Sequence, residues 1–219
     1  MMQKKIINLD TWDRKDAYRH YISFDNPSFN LTAPLEIGAL YDYCKQRKQN
    51  LYFSYLYLAT RVVNEIKEFH YRIENKEVVY YEKIDCAPTV LDENKKLLFS
   101  HLNYNHNAQQ FIKNSQEVTN KVLKDKILDP GDQLSVIYAT VIPWVAFTGL
   151  RHPVFNKGGN GIPVIAFGKI YEQGKHKFIP IALDVHHALM DGYHAGLFFE
   201  KLQEYFSNPS ILEAGSTKP

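Results

Sequence analysis

In the first seventy residues apolar side chains recur at helical intervals. After a short extended start, residues 12–21 present separate aromatic and charged faces and read as a short helix, with Asp10 or Thr11 placed to cap it. Residues 34–46 space Leu35, Ala39, Leu40, Tyr43 and Cys44 one, three or four apart, which predicts an amphipathic helix with Pro34 in its first turn. Residues 52–68 are almost wholly apolar in their first half, so this helix is expected to be buried on most sides and central to the core.

From His70 the period shortens. HYRIEN, EVVYYEKI, APTVL and KKLLFSHLNY are β-forming runs broken by Glu-Asn-Lys and Asp-Glu-Asn-Lys turns, and predict consecutive antiparallel strands. Residues 109–126 return to helix, with Phe111, Ile112, Val118, Val122 and Leu123 on one side and a stop at Asp129-Pro130-Gly131-Asp132. Strands follow at 134–145, 163–171 and 178–185, and a closing helix at 192–206 turns Leu197, Phe198, Leu202 and Tyr205 inward. The tail from Ser207 is expected to fray. With no linker, repeat or low-complexity tract, the pattern predicts a single domain over 1–219. Its class is α/β, in the α+β two-layer form: a mixed, largely antiparallel sheet packed with helices.

Composition narrows the partners. The 219 residues suffice for a substantial core, and 26 Lys plus Arg against 24 Asp plus Glu leave a net charge of only +2. That field is too weak to gather nucleic acid or an anionic membrane, so the partner is expected to be small or another protein. The 15 Tyr and 13 Phe suit a thick core, a wet apolar cleft or a subunit interface alike. Cys44 and Cys86 follow no metal spacing and are too few for a disulfide framework, which reads as structural thiols in a reducing cytosol. With no apolar run of signal-peptide length at the N-terminus and no stretch of ~20 uninterrupted apolar residues, the chain is expected to be soluble and cytoplasmic.

The chemistry concentrates in VHHALMDGYH, residues 185–194. A neutral imidazole is the side chain best matched to taking a proton from an alcohol near neutral pH. His186 and His187 both qualify by type, but adjacent strand residues face opposite sides, so only one can enter a given cleft. Asp191 precedes the helix that starts at Gly192, where its carboxylate can cap backbone amides or bind a bracing cation. Gly192 is read as permitting a turn that a β-carbon would obstruct. Taken alone, a histidine pair at a strand end is more often satisfied structure than a catalyst, and an Asp before a helix is an ordinary N-cap. No metal site is expected through His187, Asp191 and His194, because strand, turn and helix do not set the two histidines one helical turn apart.

HHALMDG fits the HHxxxDG signature of acyl-CoA-dependent acyltransferases, and its setting resembles the chloramphenicol acetyltransferase family. TWDRKDAY at 11–18, LYLATRVVNEIKEF at 56–69, APTV at 87–90, LLFSHL at 97–102, IPWVAF at 142–147 and IPVIAFGK at 162–169 carry the likeness in order over nearly the whole chain. The resemblance implies that family's fold, acetyl-CoA as co-substrate, no metal, and O-acetyl transfer by direct attack of an acceptor hydroxyl on the thioester. It implies His187 as general base, Asp191 paired with Arg14 to hold the catalytic loop, and Thr140 as the hydroxyl at the oxyanion, where the family has Ser. Breaking such a buried pair is expected to cost roughly 3–5 kcal/mol.

Ala166 stands where the family carries a Thr, so one polar contact to the reacting centre is missing. Tyr21, Phe29, Phe99 and Trp144 match positions that line the family's substrate pockets. His20 and Leu150 replace aromatics, His152 replaces an aliphatic residue, and 157–161 replaces a stretch richer in aromatic and acidic residues, changes that alter which alcohol fits. Trp144 and Lys169 are the implied acetyl-CoA contacts. The implied homotrimer, with active sites between subunits, would draw its interface from the exposed-looking β segments 71–104 and 163–171. Two other readings stand beside this one: the same chemistry on another hydroxyl acceptor, favoured by Thr140, Ala166 and His152, and a trimeric binding protein without turnover.

Overall fold

The computed structural model describes residues 3–126, 131, 133–153 and 159–213. In chain order the elements are β1 (Lys4–Ile6), α1 (Lys15–Tyr21), β2 (Ser28–Glu36), α2 (Gly38–Arg47), α3 (Leu51–Glu65), β3 (Tyr71–Glu74), β4 (Glu77–Tyr81), β5 (Asp85–Leu91), β6 (Leu97–Phe99), α4 (Ala108–Asp125), β7 (Val136–Ile142), β8 (Val164–Gly168), β9 (Tyr171–Gln173), β10 (His176–His186) and α5 (Gly192–Ser207). Short 3-10 turns occupy Lys67–His70 and Pro209–Leu212. Strands β1, β4 and β3 form a small antiparallel sheet, and the large sheet runs β2-β10-β8-β7-β5-β6, with β9 added beside β10. The β5–β7 and β7–β8 ladders are parallel and the others antiparallel, so the large sheet is mixed, as expected for the class.

Helix α3 is the centre of the core, as its sequence predicts. Asn50 caps it by accepting from the Phe53 amide at 3.2 Å, and residues 53–60 are all buried. It packs on α2, α4 and α5. These helices cover one face of the large sheet, onto which alternate residues project: Ile165 and Phe167 from β8, and Ile179, Ile181, Leu183 and Val185 from β10. The intervening residues form the other face. Register aligns them in two rows, Thr32–Ala182–Ala166–Thr140 and Asn30–Asp184–Val164–Tyr138.

Several boundaries differ from the sequence expectation. Helix α1 starts at Lys15 rather than at 12, and neither Asp10 nor Thr11 caps it; Arg14 takes the N-cap position without a side-chain bond. Trp12 turns inward instead, in a cluster with Tyr18, Tyr71, Val78, Ala188 and Leu189, so burial of the indole outweighs another turn of helix. The helix expected over 34–46 starts at Gly38, because 28–36 pairs along its whole length with β10 and places Pro34 opposite Pro180. Strand β2 is an edge strand, where the missing proline N–H is tolerated.

Residues 70–104 do not form one antiparallel run: β3–β4 and β5–β6 are hairpins in different sheets, and β5 pairs in parallel with β7. Helix α4 ends at Asp125, with Lys126 as a left-handed C-cap; the expected stop at 129–132 lies, apart from Gly131, outside the described residues. Past α5 the described residues run to Glu213, with Leu212 in the core and Glu213 accepting from the Tyr43 hydroxyl at 3.2 Å. The expected fraying of 214–219 falls outside the described residues.

The expected interface segments also change character. Strand β8 lies between β10 and β7, and 165–168 are buried. Of 71–104, the exposed apolar residues are Leu91 and Leu97, paired at the loop end of the β5–β6 hairpin. Apolar alternation reads the same for an edge strand and an interior one, and only pairing separates them.

Candidate active site

Strand β10 ends at His186, and a tight turn carries the chain into α5. The amides of Leu189 and Met190 close back on the His186 carbonyl at 2.9 and 3.2 Å, while Ala188, Leu189 and Met190 are buried. The turn is therefore anchored by its apolar members. Alternation parts the two histidines as expected: His186 is buried and accepts from the Ala188 amide at Nδ1, while His187 emerges beside α1 and β2. Its imidazole stacks on Tyr21 with ring centres 3.8 Å apart and planes 9° from parallel, and Phe29 lies 4.7 Å away on a tilt.

These contacts fix the plane of the ring. Nδ1 is buried and sits 3.3 Å from Asp191 Oδ1, within ion-pair range though out of line for a hydrogen bond. A proton held on Nδ1 leaves a lone pair on Nε2. No hydrogen bond occupies Nε2 among the described residues, and the side chain is 30% exposed.

Arg14 clamps the turn from the N-terminal segment. Its Nη1 and Nη2 donate to Asp191 Oδ2 and Oδ1 at 2.5 and 3.0 Å, and Nη2 also reaches the His187 carbonyl at 3.3 Å. The fork thus holds both ends of the turn that presents His187. Hydrogen bonding to Arg14 keeps the Asp191 carboxyl below the usual carboxylate range.

Asp191 is also the N-cap residue of α5, where its amide donates to His194 Nδ1 at 3.0 Å. Gly192 has no special role: its φ is not positive and an added Cβ would meet nothing within 4 Å. The glycine packed against the turn is Gly161, whose φ of +72° favours glycine; a Cβ there would also press on the Cδ1 tip of Leu189.

The Arg14–Asp191 pair is less buried than expected, with 10% of the arginine and 41% of the aspartate side chain exposed. Solvent screening lowers the expected cost of Arg14→Met to about 1–2 kcal/mol, between the values for surface and buried pairs. Because the folded pKa of Asp191 is depressed, this stability is fully present above about pH 4 and is lost as pH falls through the folded value. Urea titrations of the native and variant proteins from pH 7 to 2 should show the gap closing in acid. A gap that persists there contradicts the clamp.

The other expected residues lie elsewhere. Thr140 is half-buried on the sheet face away from the helices and accepts a 3.0 Å hydrogen bond from Thr89 Oγ1, which leaves its own hydroxyl proton free to donate. Phe99, paired with Thr89, continues that row to the far edge of the sheet. Trp144 is 65% exposed in the turn after β7, and the Lys169 amide, at the adjoining end of β8, donates to the Val145 carbonyl at 2.9 Å. These two implied acetyl-CoA contacts are therefore neighbours.

Leu150 and His152 sit over β2 and β10: the Leu150 carbonyl accepts from Asn30 at 2.9 Å, and His152 Nδ1 is 2.8 Å from Asp184 Oδ2. His20 is exposed and packs edge-on against Tyr21 and Phe24. Of the loop 157–161, residues 157 and 158 lie outside the described residues.

The expected residues thus fall into two separate groups. His187, Asp191, Arg14, Tyr21 and Phe29 gather around the turn after β10, whereas Thr140 and Phe99 lie on the sheet face away from the helices, with Trp144 and Lys169 just past the ends of β7 and β8. Thr140 is level with Ala182, five residues before His187 and two strands away. At ~3.3 Å per residue and ~4.8 Å per strand, the two are roughly 20 Å apart.

Sequence reasoning missed Thr89 and Asp184, and read Gly161 only as part of the acceptor-side loop 157–161. A lone carboxylate in the apolar run FIPIALDV was the available signal for Asp184. Both cysteines are buried, and burial pushes the Cys86 thiol up to about 12, so neither is a nucleophile.

Comparison with known proteins adds the chemistry of relatives. The profile of the chloramphenicol acetyltransferase family matches residues 2–203. The chain is 31% identical over 216 residues to a chloramphenicol acetyltransferase of Clostridium perfringens, covering 94% of this chain and 96% of the relative. It is 32% identical over 222 residues to one of Clostridium butyricum, with 97% and 99% covered. A solved chloramphenicol acetyltransferase superposes with a TM-score of 0.83 at 26% identity, covering 94% of this chain and 98% of that one. The cubic core of the pyruvate dehydrogenase multienzyme complex shares the fold, with a TM-score of 0.70 at 14% identity over 98% of this chain and 94% of that one.

Proposed function

The chain belongs to the chloramphenicol acetyltransferase family of acyltransferases, and on that premise we propose that it transfers the acetyl group of acetyl-CoA to the hydroxyl of chloramphenicol with His187 as general base. The observation that carries this is the imidazole itself. Tyr21 fixes its plane, Asp191 faces Nδ1, and no hydrogen bond occupies Nε2 among the described residues. Nε2 takes the proton of the acceptor hydroxyl as the oxygen attacks the thioester carbon. Collapse of the tetrahedral intermediate breaks the C–S bond, and the proton passes to the departing thiolate. No covalent acetyl-enzyme intervenes. The hydroxyl of Thr140, already accepting from Thr89, donates to the oxyanion.

The roughly 20 Å between His187 and Thr140 supports an active site shared between copies in a homotrimer, with the base from one subunit and the hydroxyl, Trp144 and Lys169 from its neighbour. Thiol release from acetyl-CoA in the presence of chloramphenicol tests the activity. Mixing tests the sharing: His187→Ala and Thr140→Ala should each be nearly inactive. Dissociated and reassembled together, they should recover about a quarter of the native rate, the fraction of interfaces that random assortment leaves intact. No recovery from well-formed mixed trimers contradicts a shared site. A second reading, the same chemistry on another hydroxyl compound, is favoured by the His152–Asp184 pair on the Thr140 face.

A further inference from the structure

The sheet face that bears Thr140 holds a buried carboxylate that the proposed acetyl transfer does not use. A cavity of about 160 Å³ is lined there by Ser28, Tyr138, His152, Val164, Asp184 and His186. Tyr138, Val164 and Asp184 occupy the register row next to that of Thr140. With same-face rows about 7 Å apart and β10 two strands from β7, Asp184 lies about 12 Å from Thr140, a span that an acceptor and the acetyl group bridge together.

The Asp184 side chain is 6% exposed. Its Oδ2 faces His152 twice, at 2.8 Å from Nδ1 and 3.3 Å from the backbone amide. Its Oδ1 is buried and has no donor among the described residues. Buried carboxylates are ordinarily satisfied on both oxygens, and here one is left open beside a cavity. A neutral aryl or amide group offers this oxygen no charge-assisted donor, whereas a protonated amine does.

We propose that Asp184 anchors a positively charged amine on the acceptor, so that the second reading above, acetylation of another hydroxyl compound, takes an amino alcohol in preference to chloramphenicol. This rests on the reading of His187 and Thr140 as the two halves of the acetyl-transfer site, and it assigns the group that sits beside the reacting hydroxyl. His152 is a positioning residue that holds the carboxylate through Oδ2. The cavity is small against ordinary ligand clefts of roughly 300–1,000 Å³, and so suits a head group rather than a whole substrate. The bonds made and broken are those of the acetyl transfer above. The amine is bound and not acylated.

Two acceptors on one nitrophenyl-propanediol frame test this. In chloramphenicol the nitrogen is a neutral amide; in the N,N-dimethyl derivative of the parent amine it is cationic near pH 7 and cannot be acetylated. The native protein should give a kcat/KM at least ~10-fold higher for the amine, mainly through KM, and Asp184→Asn should lower the amine-to-amide ratio by a similar factor. A native ratio at or below one, or a ratio unchanged by Asp184→Asn, overturns the proposal. If the variant does not fold, calorimetric Kd values for the native protein decide: amine binding no tighter than chloramphenicol overturns it. Turnover that depends on His187 without amine preference removes this inference alone. Absence of His187-dependent turnover of either acceptor removes the reading beneath it, and the Kd comparison still decides this one.

Discussion

Replacing His187 with Ala is expected to lower acetyl transfer by ~10²-fold or more, the usual contribution of a general base. The loss should fall on kcat more than on KM. The imidazole has little binding work to do once proton transfer is removed, and the cavity lined by Asp184 lies on the other sheet face. Thiol release at saturating acetyl-CoA measures it, with His187→Gln as a shape-preserving control that accepts hydrogen bonds but is not basic. Tyr21→Leu keeps the base and removes the stack that orients it, so its loss should be intermediate. Equal rates in the native and His187→Ala proteins would remove the base from the mechanism and leave a trimeric binding protein as the better reading. A large loss rejects the binding protein and leaves the identity of the alcohol to the acceptor comparison.

The parting of the two histidines was legible in the sequence because strand alternation is a local rule: once 178–185 reads as a strand, one imidazole must be buried where the other is not. The central helix was legible for the same reason, since its apolar first half has no solvent face to offer. Less could be read where a distant partner decides. Residues 28–36 alternate Phe29, Leu31, Ala33 and Leu35 with polar or proline positions, yet Pro34 reads as a helix start until β10 is known to lie beside it. Arg14 and Asp191 are 177 positions apart, and only family resemblance joined them before their hydrogen bonds did.

The separation of His187 from Thr140 is a product of register across three strands, which no local pattern contains. Asp184 was obscured by its own strand. An apolar run with one charge looks like a run with an exposed position, and its burial follows from the loop bearing His152, which closes over that face.

The largest loss of stability is expected at Arg72, which the sequence presents as an ordinary charged residue in a short strand. Its guanidinium is fully buried and donates to four backbone carbonyls, those of Leu134 at 2.7 Å, Phe69 at 2.8 Å, Tyr71 at 2.7 Å and Val136 at 2.6 Å. No carboxylate is among these partners. Burial pulls its pKa down to about 9, but delocalisation keeps a guanidinium protonated at neutral pH, so carbonyl dipoles alone must replace its hydration.

Arg72→Ala leaves those carbonyls without their donors around an empty volume and should cost about 3–5 kcal/mol, a large share of the roughly 5–15 kcal/mol that holds a domain together. Arg72→Lys should recover less than half, because a compact ammonium cannot reach acceptors arranged for a planar fork. Arg72→Met restores the volume but not the donors, so its difference from Ala isolates the packing contribution. Urea unfolding at fixed protomer concentration should report these losses as shifts in midpoint at constant slope, and a cost below about 1 kcal/mol for both Ala and Met would show that the carbonyls find water instead.

The site should feel the same loss from both sides. Arg72 ties β3 to the first residues of β7, the strand that carries Thr140, while Tyr71 and Val78 of the small sheet pack with Ala188 and Leu189 in the turn that carries His187. Weakening this one side chain therefore loosens the support of the base and of the oxyanion donor together, and the loss of activity on warming should track the loss of folded protein.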